Sequence, residues 1–164
     1  MIRHRRKVIY LLGFMGSGKS TVGSLLASAL GWPLIDLDTV IEAGQGLSIR
    51  EIFENSGEAF FRQIERAALT EASKAEPAVI ALGGGTFAQP PNVDLIRDSG
   101  GTTVWLDCPS EVLRARCEGL ENRPLFRDEQ SLRSSLWNGY PITAWRIFKS
   151  RRKGVNRKRS SSKS

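Results

Sequence analysis

Short apolar runs that stop at glycine alternate with longer stretches in which apolar residues recur every three or four positions. Val8-Ile9-Tyr10-Leu11-Leu12 ends at Gly13 and has the form of a buried parallel strand. Residues 20–30 then follow helical spacing up to Gly31. Residues 33–38 predict a second strand, and Ser48 with Glu51 three places on has the spacing of a helix-starting capping box. Residues 58–74 carry Phe60, Phe61, Ile64, Ala67, Ala68 and Leu69 as one face of an amphipathic helix that stops before Pro77. Residues 78–82 form another apolar run, cut by Gly83-Gly84-Gly85. A short helix over 91–98, a fourth strand over 102–106 and a helix over 109–118 complete the alternation. Strands alternating with helices predict an α/β, three-layer fold, with a mainly parallel sheet flanked by helices on both faces.

The 164 residues, 40% hydrophobic, suffice for one core and are too few for two ordinary domains. No apolar run approaches the ~18 residues of a membrane span. The basic residues 1–7 lead into only a short apolar stretch, so neither a secretory signal nor a membrane partner is expected, and the location expected is cytoplasmic. Cys108 and Cys117 lack metal-ligand spacing and His4 is the only histidine, which argues against a serine-hydrolase triad or a His-ligated zinc site. The net charge of +7 is unevenly placed. Nine of the 24 Lys and Arg lie from residue 146 onward with no acid among them, which leaves 15 basic against 17 acidic residues elsewhere. The basic character therefore belongs to a tail over 146–164, whose Lys/Arg/Ser composition predicts disorder, and a single domain is expected over 1–145.

Gly13-Phe14-Met15-Gly16-Ser17-Gly18-Lys19-Ser20-Thr21 matches G-x-x-x-x-G-K-[ST] and sits between a predicted strand and a predicted helix, the context that pattern requires. Glycines let the backbone curl so that successive N–H groups face phosphate oxygens, beside a helix N-terminus that favours anions. Gly16, Ser17, Gly18, Lys19, Ser20 and Thr21 are thus the ATP-binding candidates, with Lys19 neutralising the β- and γ-phosphates and Ser20 a direct ligand of Mg²⁺. No guanine-reading Asn/Thr-Lys-x-Asp segment follows, and the chain is short for a motor ATPase, so a compact kinase for a small acceptor remains. Asp36 and Asp38, two places apart on one predicted strand, share a face at the ligand end of the sheet. One suits the Mg²⁺ hydration shell and the other an acceptor hydroxyl, although aspartates here also suit the cap of a following helix.

Gly16-Ser17-Gly18-Lys19-Ser20-Thr21, Asp36-x-Asp38, Phe61-Arg62-x-x-Glu65, Gly83-Gly84-Gly85 and Arg123-Pro124-Leu125, in this order, resemble the shikimate kinase family over about residues 8–136. The resemblance implies a P-loop kinase fold, five-stranded in the family and with as few as four strands here, and ATP-dependent phosphorylation of the shikimate 3-hydroxyl, a step of aromatic amino acid biosynthesis. By it, Asp38, Arg62 and Gly84 bind shikimate, Asp36 holds Mg²⁺ through water, and Arg123 reaches the ATP phosphates from a lid over about 119–129. Asp38 and Lys19 are the catalytic residues, and a monomer is expected. A planar guanidinium is a natural bidentate partner for the carboxylate of shikimate. Taken singly, each motif has a plainer reading. Arg62 is spaced to pair with Glu58 or Glu65 on its own helix, the glycines suit a turn, and Arg123 suits a solvated loop.

The resemblance breaks after the lid. The family's second substrate-binding arginine, followed by Pro-Leu-Tyr and Ala-Asp, has no counterpart in Leu136-Trp137-Asn138-Gly139-Tyr140-Pro141-Ile142-Thr143-Ala144-Trp145-Arg146, where Gly139 lies nearest its place. Back-translating residues 142–150 as ATT ACC GCC TGG CGG ATT TTC AAG TCG and reading from the third base gives Tyr-Arg-Leu-Ala-Asp-Phe-Gln-Val, as the family would show. We hypothesise a one-base deletion near Ile142, which an intact single-frame gene on resequencing would remove. Two other readings stay open: a kinase for another small acceptor, gluconate-like or a nucleoside monophosphate, and a non-catalytic nucleotide-binding protein with a basic tail. That tail lacks aromatic interleaving, so nucleic acid is not an expected partner.

Overall fold

The computed structural model describes residues 6–108. Four strands, β1 (Val8–Leu12), β2 (Leu34–Asp36), β3 (Ala78–Ala81) and β4 (Thr102–Trp105), form one sheet in the order β2-β3-β1-β4, and all three pairings are parallel. Between them lie α1 (Lys19–Leu30), α2 (Leu37–Gln45), α3 (Ile49–Ala72) and α4 (Pro90–Ser99), with a 3-10 turn at Thr86–Ala88. The expected fifth strand, the helix over 109–118, Cys117, the lid over 119–129 with Arg123, the altered stretch near Ile142 and the tail over 146–164 lie outside the described residues. Among the described residues no helix is long and apolar enough to cross a membrane.

Alternation along the central strands separates two cores. Val8, Tyr10 and Leu12 of β1 and Ala78, Ile80 and Leu82 in and after β3 face a large cluster with Leu37, Ile41, Ile52, Phe61, Leu69, Val93 and Ile96 from α2, α3 and α4. Leu11 and Val79 point the other way, onto Ala27 of α1, with Ile9, Leu26, Trp32 and Val104 around them. A strand buried on both faces must be apolar throughout, which is why β1 and β3 read as unbroken apolar runs. On the α1 side Gly23 permits a close approach: a Cβ there would lie 3.0 Å from Leu34 Cδ1 and 3.2 Å from Leu11 Cδ1.

Two sequence expectations change in detail. The second strand ends at Asp36 and Leu37 already begins α2, so Asp38 stands in the first turn of a helix and not on a strand face shared with Asp36. The helix expected over 58–74 and the capping box at Ser48 belong to one element, α3, whose backbone departs from helical geometry at Gly57 (φ 78°, ψ 174°). The capping box itself is formed, with Ser48 Oγ accepting from the Glu51 amide at 3.3 Å and Glu51 Oε2 accepting from the Ser48 amide at 2.8 Å.

Candidate active site

The loop between β1 and α1 starts at the end of a strand with neighbours on both sides, where the strand order divides and an open parallel sheet leaves a ligand crevice. Gly16 (φ 78°) and Gly18 (φ 95°) hold left-handed backbone that other residues rarely adopt. Gly18 is the N-cap of α1 and gives its first turn no side-chain hydrogen bond, so the helix presents its amides and its positive end to the loop. Ser17 Oγ is buried and has no hydrogen-bond partner among the described residues.

Lys19 curls back over this loop, its amine donating to the carbonyls of Gly13 at 2.7 Å and Phe14 at 3.0 Å. Burial lowers its pKa from 10.5 to about 8, against the opposing pull of Asp38 and then Asp36. Ser20, in the first turn of α1, donates from Oγ to Asp36 Oδ2 at 3.2 Å, while Asp36 Oδ1 accepts from the Thr39 amide at 3.4 Å. Asp36 therefore caps α2, as its plainer sequence reading had it, and also accepts from the phosphate-loop serine. Thr21 follows on α1 and is exposed.

Asp38 lies against the glycine turn after β3. A Cβ at Gly83 would sit 2.7 Å from Asp38 Oδ1 and 3.0 Å from Thr86 Oγ1, so only glycine lets the turn pass so close to the carboxylate. At Gly84 the nearest neighbour of such a Cβ would be the Met15 amide nitrogen at 4.0 Å, which sets the glycine turn beside the phosphate loop. Lys19, Asp36, Asp38, Gly83 and Gly84 thus converge from the ends of β1, β2 and β3.

Arg62 projects from α3 with its side chain 18% exposed. It donates to Glu58 Oε1 from Nε at 3.3 Å and from Nη2 at 3.2 Å, and to Glu65 Oε2 from Nη1 at 3.1 Å. Burial opposes its charge, but Glu65 and then Glu58 hold its pKa above the ordinary arginine value. Glu65 is 1% exposed and, besides Arg62, accepts a 2.7 Å bond on Oε1 from Thr86 Oγ1. Burial nevertheless raises the Glu65 pKa above the usual carboxylate range, outweighing the hydrogen bond from Thr86 and the attraction of Arg62. Glu65 and Thr86 were not singled out as site residues from sequence. The available signal was Phe61, Glu65, Leu69 and Ala72 at helical spacing, which puts a carboxylate on the buried stripe of α3. Cys108 is a free thiol.

The family model for shikimate kinase matches residues 15–153. The chain belongs to the shikimate kinase family. It is 47% identical over 119 residues to the shikimate kinase of Aquifex aeolicus (strain VF5), covering 73% of this chain and 70% of the relative. To that of Persephonella marina (strain DSM 14350 / EX-H1) it is 43% identical over 119 residues, 73% of this chain and 72% of the relative. Among solved structures, a shikimate kinase from Acinetobacter baumannii in complex with shikimate superimposes with a TM-score of 0.69 at 41% identity, covering 79% of this chain and 73% of that one. The α/β fold expected from the sequence is that of the family.

Proposed function

We propose that this chain transfers the γ-phosphoryl group of ATP to the 3-hydroxyl of shikimate, giving shikimate 3-phosphate and ADP. The observation that carries the assignment is the Asp38 carboxylate set against the glycine turn beside the phosphate loop, with Arg62 joined to that turn through Glu65 and Thr86, in a chain 47% identical to a shikimate kinase. The loop amides, Ser17 Oγ and Lys19 suit the phosphates of ATP. As Lys19 gives up Gly13 and Phe14 for phosphate oxygens, the added negative charge favours its protonated form. Arg62 suits the shikimate carboxylate, with Gly84 giving room for close approach to the backbone.

In this reading Asp38 receives the proton of the attacking hydroxyl. The acceptor oxygen bonds to the γ-phosphorus, the bond from that phosphorus to the β–γ bridging oxygen breaks, ADP departs, and the hydroxyl proton passes to the Asp38 carboxylate. Little covalent work falls to the protein, and most of the acceleration comes from positioning and charge neutralisation. The residues also fit Mg²⁺. Ser20 Oγ and Asp36 Oδ2 are hard oxygen donors within 3.2 Å of each other. An ion of this kind is held by one or two side chains together with phosphates and waters. When bound it would be held directly by Ser20 and through water by Asp36, and would offset the negative charge of the phosphates. By family resemblance, Arg123 adds a cation from the lid.

The test is ADP release from ATP and Mg²⁺ with and without shikimate, beside gluconate as a competing acceptor and an Asp38→Asn variant. Release that depends on shikimate, is absent with gluconate, and falls by about 10²-fold or more in the variant is expected, the scale of a lost general base. Equal release with no acceptor, or with gluconate alone, would reject the assignment.

A further inference from the structure

Behind Arg62 lies a buried polar relay. Thr86 is wholly buried, and its hydroxyl donates to Glu65 Oε1 at 2.7 Å, while Glu65 Oε2 takes the 3.1 Å bond from Arg62 Nη1. Among the described residues each carboxylate oxygen thus has one donor, and Thr86 holds the oxygen that Arg62 does not. Thr86 is itself fixed on both sides. Its amide reaches the Gly83 carbonyl at 3.3 Å, and its carbonyl accepts from Nδ2 of Asn92, 2% exposed, at 3.1 Å. The hydroxyl also lies against Gly83, where a Cβ would come within 3.0 Å of it and 2.7 Å of Asp38 Oδ1. The glycine turn is therefore linked by one side chain to the ion pair on α3.

We infer that Thr86 is a positioning residue for acceptor binding: its hydroxyl locks the Glu65 carboxylate in the orientation that presents Oε2 to Arg62, and so fixes where the guanidinium meets the acceptor carboxylate. This rests on the reading of Arg62 as the carboxylate-binding residue. The chemistry is that of a buried anion. A carboxylate out of water needs a donor on each oxygen, and losing one leaves it to rotate away or to take up a proton. Burial, joined by the charge of Asp38 on α2, already pushes the Glu65 pKa up, and the bond from Thr86 is the largest single influence pulling it back, ahead of the attraction of Arg62. Without that bond the proton is retained to higher pH. A protonated Glu65 no longer holds Arg62 as an ion pair.

Thr86→Val, which keeps the shape and deletes the donor, is expected to raise KM for shikimate about tenfold, the lower end of the worth of a hydrogen bond to a charged group. KM for ATP should stay within about twofold, and the acid limb of kcat/KM for shikimate should move to higher pH. Thr86→Ser should restore both KM and the limb. Thr86→Ala, which places no extra atom against Gly83, is read in the same way if the valine variant does not fold. Arg62→Lys runs beside them. If it raises KM for shikimate while Thr86→Val and Thr86→Ala behave as wild type, the relay is overturned and the Arg62 reading stands. If Arg62→Lys leaves that KM unchanged, the site reading falls and the relay with it. Equal losses toward ATP and shikimate, no rescue by serine, or loss of folding in both the valine and alanine variants would give Thr86 a purely structural role and overturn the inference.

Discussion

The Lys19 amine has two carbonyl partners and two carboxylates in reach, yet burial governs its charge. Moving its pKa from 10.5 to about 8 is a bias of roughly 3 kcal/mol toward the neutral amine. In the free enzyme it is charged below about pH 8 and neutral above, so kcat/KM for ATP should fall as pH rises through about 8. A profile measured from pH 6 to 10 checks this, and a flat one to pH 9.5 would contradict it. Arg62 teaches a different lesson. Its spacing to Glu58 and Glu65 suggested a pair within its own helix, and those bonds are made. Glu58 is largely exposed, so its share is screened, whereas Glu65 is buried and held by a second donor from another element. Sequence spacing gave both partners equal standing, and only burial ranks them.

The helices were legible where their own chemistry defines them. Ser48 and Glu51 announced the start of α3 three residues apart, because a capping box is local and needs no tertiary partner. The break at Gly57 and the early end of β2 were not, since both depend on how the chain must bend to lay α2 and α3 across the sheet. Gly23 on α1 looks like a weak point in a helix, at a cost of about 1 kcal/mol relative to alanine. Its value lies in the contact with Leu34 and Leu11. Gly23→Val is therefore expected to destabilise the protein by about 2 kcal/mol in urea denaturation, as branched atoms overpack the α1 interface. Gly23→Ala should be near neutral, because a better helix former offsets a shift of two flexible leucine ends.

Tyr10 ties the elements together. It is fully buried on β1, and its hydroxyl lies 3.0 Å from Ser73 Oγ at the end of α3 and 3.0 Å from Ser99 Oγ at the end of α4. Since Ser99 Oγ donates to the Ile96 carbonyl at 2.6 Å, Tyr10 donates to Ser99 and accepts from Ser73. Tyr10→Phe should cost about 1–2 kcal/mol, read as a lower urea midpoint at unchanged slope, because two serine hydroxyls lose a buried partner. The network joins the ends of α3 and α4, away from the phosphate loop, so KM for both substrates should not move. A shift in either would tie this network to the site.

From the sequence alone came the phosphate loop, the alternation of strands and helices, the ordered set of five motifs, and with them the family. These are properties of short segments: a glycine pattern, a capping box and an apolar period are each complete within a few residues. The tertiary structure decided what distant segments do to one another. It brought Asp38 of α2 against Gly83 after β3, made Asp36 both a helix cap and the partner of Ser20, and buried Glu65 so that Thr86, 21 positions away, completes it. A threonine after three glycines carries no signal of its own. It acquires one when folding removes water from a carboxylate, because a buried charge must then find its hydrogen bonds in the protein.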